Sequence, residues 1–284
     1  MQKILSFLVF LLAAGTAFAQ TAPTSSAPPA AVQPPAAVQP PAAALPPAHY
    51  TVANAHSHND YEQAVPFRLA YGEAFGSIEA DVFLIHDTLF TAHDTPELVR
   101  HRTLEDWYIR PLDSCVASHG GYPYADTTRM LQMLIEPKGP GVPTIAALLK
   151  VLARYPRLTA NPHLRWTITG NRPDPSTFPT YPSFIWFDGE FEKTYSPGAL
   201  ARVALFSDDF RNYSFWLGRI ELPAADRARL KAAVDRAHAM GKPVRFWDAP
   251  DSPAAWKQIM ELGADWINTD HIKALSAYLA ATPR

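Results

Sequence analysis

Only one cysteine, Cys115, occurs in 284 residues, so no intramolecular disulfide can brace this chain. Charge is sparse and nearly balanced, with 25 Lys and Arg against 27 Asp and Glu for a formal charge of -2. No basic run occurs, which argues against nucleic acid as a partner. The apolar run Ile4 to Ala14 is too short to cross a bilayer, so no transmembrane segment is expected. No glycine-rich phosphate loop follows the first apolar segment of the domain, which disfavours an open dinucleotide-binding sheet.

What is present begins with a secretory pattern. Lys3 precedes the apolar run, and small residues at Ala17 and Ala19 predict a signal peptide over 1–19 with cleavage after Ala19. No cysteine follows that cut, so a lipid anchor is not expected, and the mature chain is expected in the periplasm or outside the cell. Residues 20–48 are nearly all Ala, Pro, Ser, Thr, Val and Gln. Such a stretch buries too little apolar surface to offset its ordering entropy, and reads as a disordered, extended linker. Residues 49–284 form the expected folded domain.

Eight apolar runs recur in that domain, at 51–56, 77–84, 131–138, 164–170, 183–189, 202–209, 243–249 and 265–270. Helical spacing separates several of them. Phe67, Ala70, Tyr71, Ala74 and Phe75 follow it behind Pro66, with Gly76 closing the run. Ile145, Leu148, Leu149 and Leu152 repeat it, as do Leu230, Ala233, Val234 and Ala237 before Gly241. Ser252-Pro253 opens a last such helix and Gly263 ends it. Strand and helix alternating eight times in this length predict an α/β fold, a single (β/α)8 TIM barrel. After the second strand, "IHDTLFTAHD" predicts a tight hairpin, followed by a long insertion rich in Trp107, Tyr108, Tyr122 and Tyr124.

Several strands end in residues that a core would not choose. The first ends in His56-Ser57-His58-Asn59, the second carries Glu79 and Asp81, and the third ends in Glu136 and Lys138. In a barrel these C-terminal ends share one face, where active sites are built. Glu79 and Asp81 alternate to the same side of their strand. Three carboxylates meeting there would repel, and a hard cation with oxygen ligands removes the conflict. Lys138 suits an anionic group. His93 returns to the same mouth after the hairpin, with Asp94 placed to fix its tautomer. Arg245 and Trp247 on the seventh strand are either pocket lining that touches a head group or barrel filling. Asp270 reads as the N-cap of the last helix. The remaining histidines read as surface or satisfied core.

Together these residues resemble the superfamily of phosphatidylinositol-specific phospholipases C and glycerophosphodiester phosphodiesterases. "SHNDY" (57–61) resembles the Ser-His-Asn-x-Tyr of the phospholipases, "IEADV" (78–82) and "AHD" (92–94) the Glu-x-Asp-Val and His-Asp of both branches. "IEPK" (135–138) resembles their Glu-x-Lys, and "GADWINTD" (263–270) the last strand of the phosphodiesterases. With "RTLEDWYIRPL" (102–112), the likeness is nearest to the altered-inheritance-of-mitochondria protein 6 branch. The resemblance implies one Ca2+ or Mg2+ held by Asn59, Glu79, Asp81 and Glu136, and a phosphate-facing Lys138. It implies catalysis by His58 as base and His93 as acid, or the reverse, with His56 the alternative first histidine. The implied activity is hydrolysis of a small-molecule or lipid phosphodiester through a cyclic phosphate, with peripheral membrane contact in the lipid case.

Two rival readings stand beside this one. His56, His58 and Asp270 also fit the zinc-dependent amidohydrolase and polymerase-and-histidinol-phosphatase barrels, although strands four to six supply no further histidine. A non-catalytic barrel binding envelope carbohydrate or lipid head groups is the other.

Overall fold

A computed structural model describes residues 45–282. The expected signal peptide and nearly all of the expected linker lie outside the described residues. Among those residues, no helix is long and apolar enough to cross a membrane.

Nine strands carry the domain: β1 (Ala55–Ser57), β2 (Ser77–Ile85), β3 (Thr88–Thr91), β4 (Leu131–Pro137), β5 (Leu164–Ile168), β6 (Ile185–Gly189), β7 (Val203–Asp209), β8 (Val244–Trp247) and β9 (Ile267–Thr269). They pair in the order β8-β7-β6-β5-β4-β2-β1-β9, all parallel, and a parallel bridge between Arg245 and Trp266 joins the two ends. Only β3 lies off this ring, antiparallel to β2. The expected (β/α)8 barrel is therefore present. Strands buried on both sides read as near-continuous apolar runs, which is why the eight segments were visible in the sequence.

Local chemistry explains where the elements depart from expectation. Residues 51–54 are not strand: Thr51 caps a 3-10 turn over Val52–Asn54, and β1 keeps three residues. The run behind Pro66 shortens to a helix over Arg68–Gly72. Gly76 does not cap it. A β-carbon there would clash with the Ala53 carbonyl oxygen, so glycine is what lets the chain pass close against the 3-10 turn that precedes β1. The hairpin turns at His86 and Asp87, with φ of 46° and 62°, the left-handed pair that a two-residue turn requires.

The aromatic-rich insertion is mostly packing. Tyr108 and Tyr124 are buried against Phe67 and Tyr71. A π-turn over Glu105–Ile109 runs into a helix over Arg110–Ser118, which takes the place of the helix between the second and third parallel strands. Longer helices over Gly141–Leu152, Ala224–Ala239, Pro253–Leu262 and Ile272–Ala281 cover other flanks of the ring. Between β5 and β7 the cover thins to a 3-10 segment over Pro175–Thr180 and a four-residue helix over Pro197–Leu200.

Candidate active site

At the C-terminal ends of the strands a cavity of about 450 Å³ opens, lined by residues on or just after every strand of the ring but β9. β1 ends into His58 and Asn59, β2 supplies Glu79 and Asp81, β4 ends in Glu136 and Lys138, and β8 supplies Arg245 and Trp247. His93 follows β3 and reaches the same space. Asn59 turns the chain out of β1 in the left-handed region, at φ 44°, a conformation that Asn tolerates.

Glu79, Asp81 and Glu136 bring one carboxylate oxygen each within 4.8 Å of one another. The register pairs Asp81 with Glu136 across β2 and β4. Asp81 is buried, and its Oδ1 has no hydrogen-bond partner. Burial and the charges of Glu79 and Glu136 push its carboxyl up to about 7, against the opposing pull of Lys138. An orphaned buried carboxylate oxygen among other oxygens suits a hard cation. The wall is cut to leave room there. Gly170 sits at φ +60°, and a β-carbon on it would come 2.6 Å from Cγ of Glu136. Lys138 donates to Glu136 at 3.1 Å and lies 2.8 Å from Asp81 Oδ2.

Glu79 is held differently. Its Oε2 receives His56 Nε2 at 2.7 Å and Arg245 Nη1 at 2.6 Å, all three groups being buried. Burial alone would raise its pKa, but Arg245, His58 and His56 hold it well below the usual carboxylate range. No cation stands on β2 itself. The partner comes from β8, across the barrel, and Arg245 is thereby engaged rather than free for a head group. Trp247 stands on the rim, partly exposed.

The two nearby histidines of the first motif face different surroundings. His56 is fully buried, does not line the cavity, and has both ring nitrogens engaged, Nδ1 by Ser77 Oγ at 2.8 Å and Nε2 by Glu79 and Arg245. Burial and Arg245 lower its pKa to about 4. His58 lines the cavity and pairs through Nδ1 with Asp270 Oδ1 at 2.9 Å. Burial pulls its pKa down, but Glu79 and the Asp270 hydrogen bond outweigh it and leave the imidazole more basic than usual. The zinc reading loses its first ligand, because His56 has no nitrogen left to share with His58. Asp270 is not the N-cap that its position suggested. The helix that follows begins after His271, and the Asp270 carboxylate turns to His58.

His93 is half-exposed, and its Nδ1 lies 3.1 Å from the Tyr61 hydroxyl. That hydroxyl also lies 2.7 Å from Asn59 Oδ1 and from Asp81 Oδ2. Asp94 does not orient His93: Tyr61 holds the ring, and Glu97 accepts from the His93 backbone N–H at 3.0 Å. Tyr61 and the role of Asp270 were missed by sequence reasoning, although both lie inside quoted motifs. Arg172 and Asp188 were missed as well. Asp188 accepts from the Thr169 hydroxyl and the Ser207 N–H, both at 2.8 Å, and Arg172 lies 3.7 Å from it on the opposite wall. The Asp-Gly that ends "SFIWFDG" was the available signal.

Residues 48–150 match the AIM6-like phosphodiesterase domain, which spans His58, Asn59, Glu79, Asp81, His93, Glu136 and Lys138. The chain is similar to AIM6-like phosphodiesterases. Residues 243–272 match the glycerophosphoryl diester phosphodiesterase family. The "Altered inheritance of mitochondria protein 6 homolog" of Arthroderma benhamiae is 28% identical over 267 residues, 78% of this chain and 82% of that protein. "Altered inheritance of mitochondria protein 6" of Lachancea thermotolerans is 26% identical over 280 residues, covering 79% of this chain and 65% of that one. A glycerophosphodiester phosphodiesterase structure from Parabacteroides distasonis shares the fold, with a TM-score of 0.52 at 14% identity, over 80% of this chain and 97% of its own. The expected superfamily and its AIM6 branch are thus what this chain resembles, and the barrel shares the fold of a glycerophosphodiester phosphodiesterase.

Proposed function

We propose that this domain is a phosphoric diester hydrolase that depends on one divalent cation, Ca2+ or Mg2+, and acts on a glycerophosphodiester or phospholipid head group. The observation that carries this reading is the orphaned Asp81 Oδ1 inside the Glu79–Asp81–Glu136 cluster, in one cavity with two separately oriented imidazoles. The three carboxylates, with Asn59 beside them, are the groups that would hold the cation. When bound it would offset the charge of a phosphoryl oxygen and make a bound hydroxyl more acidic.

The chain's own residues would do the proton work. Asp270 fixes the Nδ1–H tautomer of His58 and leaves Nε2 to take a proton from the attacking substrate hydroxyl. Tyr61 holds His93 by Nδ1, so its Nε2 can protonate the departing alkoxide. Attack by a neighbouring hydroxyl forms one P–O bond and breaks another, giving a cyclic phosphodiester and a free alcohol. Water then opens the ring, with the two histidines exchanging roles. Lys138, released from the carboxylates once a cation is present, would face the phosphate.

A panel of glycerophosphocholine, glycerophosphoinositol, phosphatidylinositol and lysophospholipids, with Ca2+, Mg2+ or chelator, tests this directly by phosphorus NMR. Lipid-borne diesters belong in it because Phe215 and Leu217 stand exposed in a neighbouring pocket that shares Arg211 and Asp248 with the mouth. Turnover with a transient cyclic product is expected in the presence of a divalent ion. Turnover that persists undiminished in excess chelator would remove the cation from the scheme.

Cation binding should also be visible without substrate. The folded pKa of Asp81 is pushed above the ordinary aspartate value of 3.8, to about 7. Its contribution to stability is therefore complete below the unfolded value and is lost as pH rises through about 7. A cation binds the charged form and cancels that loss. The rise in Tm on adding Ca2+ or Mg2+ should be small near about pH 5 and large near about pH 8. Equal shifts at both ends of the range would contradict a cation bound at Asp81.

A further inference from the structure

We infer that His56 is a positioning residue: its Nε2–H holds one oxygen of Glu79 so that the other is presented to the cation, and it carries no proton in the reaction. This rests on the cation reading proposed above. It follows from a chain of buried hydrogen bonds across the barrel interior. The Thr167 hydroxyl on β5 donates to Gln132 Oε1 on β4 at 2.9 Å, which fixes that amide. Gln132 Nε2 then donates to Ser77 Oγ on β2 at 3.1 Å. A serine hydroxyl has one hydrogen, and here it has one remaining neighbour, His56 Nδ1 at 2.8 Å. With Nδ1 accepting, the ring hydrogen sits on Nε2 and is donated to Glu79 Oε2 at 2.7 Å; Arg245 Nη1 also lies against Nε2, and with the Ser77 hydrogen given to Nδ1 both groups donate to that one Glu79 oxygen.

Arg245 Nη1 donates to the same oxygen at 2.6 Å and is itself held through Nε by Ser207 at 3.1 Å. Oε2 is thus fixed by two buried donors from β1 and β8, while Oε1 accepts no hydrogen bond among the described residues. A carboxylate pinned by one oxygen cannot rotate away, so its free oxygen is pre-aimed at a ligand. A proton carrier needs a free nitrogen and access to substrate. His56 has neither, being fully buried with both nitrogens engaged. His58, two residues on, has both.

Groups that orient a metal ligand typically contribute about 10–100-fold in affinity. Calorimetric titration with Ca2+ and Mg2+ should find His56→Ala weaker by about that factor. His56→Gln, whose amide N–H extends to about the reach of Nε2–H, should regain most of the affinity and most of the phosphodiester turnover. Ser77→Ala, a milder change, should fall between wild type and His56→Ala, because Nδ1 loses its donor and the ring can take either tautomer. Melting in chelator identifies any variant that fails to fold, and Ser77→Ala and His56→Gln then carry the comparison.

Wild-type affinity in His56→Ala would overturn the positioning role and leave the cation reading intact. Normal cation affinity with abolished turnover in His56→Gln would overturn it too, by making His56 a proton carrier. Wild-type protein that binds neither ion would defeat the cation reading itself, and this inference with it.

Discussion

Glu79→Gln should unfold the chelated protein about 10 °C earlier than wild type, whereas Asp81→Asn, two residues along the same strand, should leave the midpoint nearly unchanged or raise it. Both residues are buried acids on the inner face of β2, but their surroundings have opposite sign. Glu79 is matched by Arg245, itself 3% exposed, and by the His56 donor. Removing its charge leaves a guanidinium without a counter-ion inside the barrel. Breaking a buried pair from one side costs roughly 3–5 kcal/mol, and a domain of this size loses about 2–4 °C per kcal/mol. Asp81 has an unpartnered oxygen, and burial with two acidic neighbours outweighs its contacts to Lys138 and Tyr61 and raises its pKa, so its charge strains the cation-free protein. Neutralising it removes that strain. With Ca2+ or Mg2+ present the order changes, because both variants lose a ligand and neither should gain the stabilisation that the cation gives wild type. Thermal melts of the three proteins, with ion and with chelator, check both halves. Equal destabilisation by the two substitutions in chelator would mean that the acids are equivalent, and the division between a carboxylate matched by Arg245 and one with an unpartnered oxygen would fail.

That division was not legible in the sequence, and the reason is physical. Strand periodicity places Glu79 and Asp81 on one side of β2, and the barrel rule places their strand end at the mouth, so the cluster with Glu136 could be read from spacing alone. What selects between the two acids is Arg245, 166 positions further on, which reaches Glu79 only because β8 and β1 are both joined to β9. Local pattern carries no record of such a crossing. Asp270 shows the same limit: before a helical run it reads as a cap, yet the closing strand turns its carboxylate to His58, 212 positions away. Tyr61 was missed for a different reason. It lies in a 3-10 turn over Asp60–Glu62, where neither the period of a strand nor that of a helix says which way a side chain points. The fold was more legible than the site, because each parallel strand announces itself in its own residues, while each site contact depends on how the ring closes.

His58→Ala and His93→Ala should each lower phosphodiester turnover by about 10^2–10^4, the usual worth of a positioned proton donor or acceptor. Neither should unfold the domain, since neither ring belongs to the core. Asp270→Asn separates their roles. The carboxylate at 2.9 Å raises the basicity of His58 and fixes its Nδ1–H, so an imidazole acting as base is ineffective until pH exceeds that raised value. Asn in its place withdraws the stabilisation of the imidazolium, and the His58 pKa falls. The acidic limb of the pH–rate profile should then move to lower pH, while the maximal rate drops because the tautomer is no longer imposed and the base is weaker. The alkaline limb, set by the acid, should stay where it is if that acid is His93, whose partner Tyr61 the substitution does not touch. Movement of the alkaline limb alone would exchange the two assignments, making His58 the acid of the first step and His93 the base. A profile unmoved on both sides, with turnover intact, would take the His58–Asp270 pair out of the chemistry altogether.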